Sequence, residues 1–272
     1  MSGLGGDGVQ DSDAPALSPL YRIGHGGARG GDKEGHQKMK FRIVTHNVLR
    51  FKGLPELAGR SDVPGTLARL YLALGPQVVC LQEVESPRDA GLLAELLGME
   101  VRHEPGRISP KYGGAVLVDP ELAFAYEPIK DSFERVCQIV EVRLGGGPVA
   151  ICNLHLPSGV GHPEDGGEGV RMREIEEVIS LAPDVIVGDL NSGPGSPVYR
   201  KLSEAGYIDA AAEAGMEDVP TCGRARIDYI WFRRLKLEDY EVVYRAGGVD
   251  GDVVRSLSDH LPVSALFDVD ER

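Results

Sequence analysis

The sequence predicts an α/β fold in which buried strands end in polar chemistry. Three observations carry this. Short β-branched runs such as Val185-Ile186-Val187 and Val78-Val79-Cys80-Leu81 lack the polar alternation of a strand with one wet face. Helical spacings of apolar residues, as in Leu67, Leu70, Tyr71 and Leu74, fall between such runs. The strands then stop in Asn, Glu, His or Asp rather than fading into a loop.

Residues 1–38 hold ten glycines and no periodicity, which reads as a disordered tail whose His25 and His36 are solvated. The pattern changes at Met39, the expected start of translation and of a single domain spanning 39–272; an intact mass including residues 1–38 would rule that start out. Phe41 to Asn47 alternates as a strand and ends in Thr45-His46-Asn47. A helix through Leu67–Leu74 is stopped by Gly75-Pro76, and the strand Val78–Leu81 runs into Gln82-Glu83. Ser86-Pro87 starts the next helix, which carries Leu92, Leu93, Leu96 and Leu97 and ends at Gly98.

The middle is strand-rich, with runs at 113–118, 123–129, 135–144 and 149–156. Val149, Ile151, Asn153 and His155 share one face of the last, so an amide and an imidazole are expected to emerge together before Pro157. A Gly- and acid-rich loop at 157–169 leads to a helix over 170–181. Then comes Asp184-Val185-Ile186-Val187-Gly188-Asp189-Leu190-Asn191, where alternation puts Asp189 and Asn191 on one side and Gly188 permits a close approach. Ser196-Pro197 caps the next helix, which leaves Asp189 and Asn191 available for a ligand. Strands at 226–232, 237–244 and 261–267 complete the chain.

A net charge of −13 argues against gripping nucleic acid through the overall field and leaves a local patch or a bound cation as the means. No apolar run reaches bilayer length and the first residues lack a basic start before an apolar block, so cytoplasm is the expected compartment. Cys80, Cys137, Cys152 and Cys222 are widely spaced and form no CxxC pair, which favours buried thiols over disulfides or zinc.

The strand-end residues Asn47, Glu83, Asn153, His155, Asp189, Asn191, Asp228, Asp259 and His260 are expected to converge, because ligands in α/β proteins gather beyond strand ends. Carboxylates and amides without a cysteine set favour a hard divalent ion, Mg²⁺ or Mn²⁺.

The stretches Thr45-His46-Asn47-Val48, Leu81-Gln82-Glu83-Val84, Asn153-Leu154-His155-Leu156, Gly188-Asp189-Leu190-Asn191, Arg226-Ile227-Asp228-Tyr229 and Ser258-Asp259-His260-Leu261-Pro262 resemble, in order, those of the endonuclease/exonuclease/phosphatase superfamily, which includes DNase I. The resemblance covers about residues 40–268 and implies a four-layer α/β sandwich of two packed, mainly antiparallel mixed sheets flanked by helices. It implies metal-binding roles for Glu83 and Asp259, and for Asn47 a part in holding the metal or the phosphate. It leaves the base open between Asp189 with Asn191 and His260 oriented by Asp228, and puts His155 on the leaving-group side or on the phosphate. His46 departs from the Thr, Ser or aromatic residue more usual before this Asn.

The implied activity is metal-dependent phosphodiester hydrolysis, with nucleic acid as the leading substrate and a small phosphoester or lipid as the alternative. A non-catalytic binding module is a third reading, against which the intact acidic and His set argues. The abasic-site branch usually carries a Tyr-containing motif where this chain has Asn153-Leu154-His155-Leu156, which disfavours that branch. Loop 157–169 has only Val160 to offer a membrane. Arg224 and Arg226, next to Asp228, are the first candidates for substrate contact, ahead of Arg102, Arg107 and Lys111 and of Arg171 and Arg173. Tyr112 is a candidate for base stacking, whereas Trp231, on the face opposite Asp228, belongs to the core.

Overall fold

In the computed structural model, residues 40–55, 62–129 and 131–269 are described. The Gly-rich segment 1–38, its two histidines and Met39 lie outside them. Two mixed six-stranded sheets pack face to face with helices on their outer sides. The first sheet contains β1 (Lys40–Asn47), β2 (Val78–Gln82), β3 (Glu100–Glu104), β4 (Gly114–Val118), β11 (Lys236–Val242) and β12 (Val263–Asp268), in the order β11-β12-β1-β2-β4-β3. The second contains β5 (Phe124–Ile129), β6 (Val136–Leu144), β7 (Gly147–His155), β8 (Val185–Asp189), β9 (Ile208–Asp209) and β10 (Asp228–Phe232), in the order β5-β6-β7-β8-β10-β9.

Each sheet has one parallel pair at its middle, β1 with β2 and β7 with β8, and antiparallel pairs elsewhere. The parallel pairs make the central strands end together, which is what gathers their terminal residues. Packing explains the strands' uninterrupted apolar runs. Inward residues such as Ile43, Val78, Cys80, Ile151, Val185 and Val187 form the cluster between the sheets. Outward residues Val79, Leu81 and Leu117 pack under α1 (Val63–Leu74) and α2 (Pro87–Leu97), while Cys152, Ile186 and Trp231 pack under α3 (Glu168–Leu181) and α4 (Pro197–Glu204). Both faces of the central strands are therefore dry, and no polar alternation is possible along them.

The expected helix boundaries are built as their residues demand. Ser86 and Ser196 accept hydrogen bonds from Arg88 N and Tyr199 N ahead of Pro87 and Pro197, and Gly75 and Gly98 end their helices in the left-handed region. The structure adds elements that the pattern did not predict. Strand β3 is an edge strand of sequence Glu-Val-Arg-His-Glu, too charged to read as a strand, and α5 (Ala210–Glu213) and α6 (Gly251–Leu257) are short. Helix α6 rests on Asp250, whose carboxylate accepts from Asp252 N and Val253 N. No described helix is long and apolar enough to cross a membrane.

Candidate active site

Strand register brings the site together. His155 ends β7 opposite Asp189, the last residue of β8, and Asp189 stands opposite Asp228, the first residue of antiparallel β10. In the other sheet Asn47 ends β1 opposite Gln82, so Glu83 follows at the same end. Ser258 crosses from the segment before β12 and donates its hydroxyl to the Asn47 carbonyl at 2.6 Å, which brings Asp259 and His260 to the same rim.

Asp189 is the hub. Its Oδ1 accepts from the Asn191 backbone N–H at 2.9 Å, and its Oδ2 accepts from Asn47 Nδ2 at 3.1 Å. The same Oδ2 lies 3.3 Å from His155 Nε2 and 3.8 Å from His260 Nε2. Burial works against the carboxylate, but His155, the positive charge of His260 and the Asn191 amide outweigh it and hold Asp189 well below the usual carboxylate range. The Gly188 backbone, at φ +132°, makes this packing possible. A Cβ there would stand 1.9 Å from the Leu154 carbonyl oxygen.

His260 and Asp228 form a buried pair. The Asp228 carboxylate reaches Nδ1 at 2.8 and 3.0 Å and also accepts from Thr221 Oγ1 at 2.6 Å. Burial opposes the imidazolium, yet Asp228 first, then the Cys222 side chain and the more distant Asp189, push His260 up to about 12. Its Nε2 lies on the side of Asp189, 3.8 Å from Oδ2. His155, in contrast, is pushed down by burial against the pull of Asp189, and the Arg135 guanidinium contacts its Nε2.

Asp189, Asp228 and His260 bring three donor atoms within 4.8 Å of one another. Their hydrogen bonds are those of an acid–base network. Glu83, Asn47 and Asp259 carry oxygen donors of another kind. They supply two carboxylates and an amide oxygen, the donor class that Mg²⁺ and Mn²⁺ prefer. The Glu83 carboxylate is 3.6 Å from Arg50 Nε, beyond hydrogen-bond distance, and so keeps its capacity to accept. Glu83 also occupies the left-handed region at φ +54°, an arrangement that costs a non-glycine residue about 1 kcal/mol or more and is met where a side chain must be aimed.

Three expected positions change meaning. Asn153 is fully buried between the sheets rather than at the rim. Its Oδ1 accepts from Gln82 Nε2 at 2.7 Å, and its Nδ2 donates to Gln138 Oε1 at 2.8 Å and to the Leu81 carbonyl at 3.1 Å. It cannot reach a substrate without breaking that network. Arg226 is also buried, paired with Asp209 at 2.8 Å and lying over the Tyr229 ring, so it fastens β9 and β10 together. Asn191 donates Nδ2 to the Leu156 carbonyl at 3.0 Å and acts on Asp189 through its backbone N–H. Arg224 is exposed, Trp231 is buried in the outer cluster, and Val160 is exposed as expected.

Arg135 and Thr221 are parts of the site that strand-end reasoning passed over. Arg135 precedes β6, whose antiparallel course puts its start beside the end of β7, and it donates Nη2 to Ser158 Oγ at 2.9 Å. Its guanidinium lies 4.4 Å from the Tyr112 ring centroid, and Tyr112 in turn meets His155 edge-on at 6.3 Å. A charged residue just before an apolar run was the available signal.

The sequence model of the Endonuclease/Exonuclease/phosphatase family matches residues 44–260, which spans every segment of this site. The chain belongs to that family. The endonuclease/exonuclease/phosphatase family comprises hydrolases that act on phosphoesters. Among solved structures, a family protein from Leptotrichia buccalis C-1013-b is similar at 16% identity and TM-score 0.63, over 84% of this chain and 99% of that one. The human Nocturnin catalytic domain with bound sulfate is similar at 18% identity and TM-score 0.61, over 85% and 96%. D. rerio TDP2 complexed with single-strand DNA product is similar at 20% identity and TM-score 0.63, over 84% and 98%. At these identities the likeness is one of fold. No curated protein sequence matches the chain.

Proposed function

We propose that this protein is a divalent-metal-dependent phosphodiesterase that hydrolyses nucleic acid. The observation that carries the reading is the convergence on ionised Asp189 of Asn47, His155, Asn191 and the His260–Asp228 pair at one end of both sheets. Glu83, Asn47 and Asp259 would hold Mg²⁺ or Mn²⁺, which when bound polarises a phosphoryl oxygen and offsets the charge of in-line displacement.

The chain's own groups divide the remaining work. His260, fixed through Nδ1 by Asp228, presents Nε2–H as a charged donor to a non-bridging phosphoryl oxygen. Asp189 accepts a hydrogen bond from the attacking water and takes its proton, with the carboxylate oriented by the Asn191 backbone N–H. His155, held neutral by burial, flanks the phosphate on the Arg135 side.

Support for a nucleic-acid substrate comes from Tyr112. It is half-buried beside His155, with Arg135 at 4.4 Å and Lys111 Nζ at 4.9 Å from its ring centroid, which joins a stacking face to local positive charge in an otherwise acidic protein. The test is cleavage of single- and double-stranded DNA and RNA in Mg²⁺, against chelator and an Asp189→Ala control. Metal-dependent products missing from the variant support the reading, and their lengths separate endo- from exonucleolytic action. A folded protein that cleaves none of the four polymers refutes it.

A further inference from the structure

Cys222 is placed unlike the other three cysteines. Cys80, Cys137 and Cys152 are buried in apolar clusters, whereas Cys222 is half-exposed at the rim of the His260–Asp228 pair. Its backbone is held there from two sides. An antiparallel bridge joins it to His260, beside which Leu261 N donates to the Thr221 carbonyl at 2.7 Å. A tight turn closes behind it, with Cys222 N donating to the Ala225 carbonyl and Ala225 N to the Cys222 carbonyl.

The result is a second donor set, which shares only His260 with the Asp189–Asp228–His260 group. Cys222 Sγ, a carboxylate oxygen of exposed Asp259 and a ring nitrogen of His260 all lie within 4.8 Å of one another. Bonds of about 2.0–2.3 Å separate the ligands of a tetrahedral ion by roughly 3.5 Å, so modest side-chain rotation closes this triad around one ion and leaves a fourth position to water. The thiolate makes the set soft, in contrast to the all-oxygen donors at Glu83, Asn47 and Asp259. Asp228 and Asp189 stand behind it, and carboxylates that favour a proton on the ring also favour a dication in its place.

We infer that Cys222, Asp259 and His260 form a site for a thiophilic divalent cation of the Zn²⁺ class, and that its occupation inhibits phosphodiester hydrolysis. On binding, the Sγ–H proton and one imidazolium proton pass to solvent as the sulfur–metal and nitrogen–metal bonds form. The ion then holds the ring nitrogen that would meet the phosphate and the Asp259 carboxylate that would serve Mg²⁺. The inhibitory half rests on the roles proposed above for His260 and Asp259, while the binding half does not.

Cobalt(II) reports on the binding half without any turnover. Titration of the full-length protein produces a thiolate-to-cobalt charge-transfer band that is absent in Cys222→Ser, and a folded wild-type protein that gives no such band overturns the site. For the inhibitory half, Zn²⁺ added over saturating Mg²⁺ inhibits the wild type at a concentration at least tenfold lower than it inhibits Cys222→Ser, each protein being measured against its own Zn²⁺-free rate. Equal sensitivity of the two proteins overturns the inhibition. A protein without Mg²⁺-dependent cleavage refutes the proposed function, and the cobalt spectrum still decides the site.

Discussion

Replacing His46 by a residue that cannot titrate tests whether acid sensitivity is built into the strand that carries Asn47. His46 is fully buried, with Nδ1 2.7 Å from Tyr71 Oη and Nε2 3.1 Å from the His260 carbonyl oxygen. The carbonyl can only accept, so Nε2 carries the proton and Nδ1 accepts from the tyrosine. Burial, assisted by the nearby His260 charge and opposed by that carbonyl, pushes His46 down to about 3. The unfolded chain protonates this ring below about pH 6.5, and the folded chain does not until about pH 3, so stability falls as pH falls through that window.

Between pH 7 and pH 4.5 the loss from this one ring is about 2–3 kcal/mol. The variant is His46→Gln, whose amide can replace both hydrogen bonds without titrating. Urea unfolding at closely spaced pH values gives the stability of each protein, and the difference between them cancels the acid response of all other groups. The expected result is that the wild type loses about 2–3 kcal/mol more than His46→Gln over this range, whatever their offset at pH 7. Parallel pH curves for the two proteins would refute the reasoning.

Three further outcomes follow from the same geometry. His260→Ala is expected to remain folded, as judged by its circular dichroism and urea unfolding, while its turnover falls on the order of 10²–10⁴-fold; near-normal turnover would remove His260 from the mechanism. Glu174 is fully buried on α3, accepts from Glu134 N at 2.7 Å, and is pushed up by burial to about 7, so its ionisation destabilises the fold as pH rises from about 4.5 to 7. Glu174→Gln should therefore be more stable than wild type at pH 8 by up to about 3 kcal/mol and lose that advantage at pH 4, and a pH-independent difference in chemical denaturation would contradict the assignment. Gly188→Ala forces a methyl group against the Leu154 carbonyl from a backbone conformation that L-residues rarely adopt, and should lower stability by about 3 kcal/mol or more; a variant with an unchanged unfolding midpoint would show that the β7–β8 contact is loose.

How much of this protein could be read from its residues varies with how local the cause is. Helix starts at Ser86-Pro87 and Ser196-Pro197 and stops at Gly75 and Gly98 depend on a few adjacent residues, and the chain order states them outright. The buried central strands announce themselves because both of their faces must be apolar, and their polar ends stand out against that background. Edge strand β3 stayed hidden because half-exposed backbone needs no apolar pattern.

The assignments that failed were those that required knowing what lies across the strand. Asn153 sits at the right spacing for a rim residue, but the second sheet closes over it with Gln82 and Gln138. Arg226 adjoins Asp228 in sequence, but the pairing of β9 with β10 delivers Asp209 to its guanidinium. The candidates Asn47, Glu83, His155, Asp189, Asp228, Asp259 and His260 could be named from the chain alone, since each is a polar residue at or near one end of an apolar run. Which of them hold a proton and which present lone pairs was decided only when two parallel strand pairs ended at the same level. Charge states follow from distance and burial, and neither is a property of a residue's neighbours in sequence.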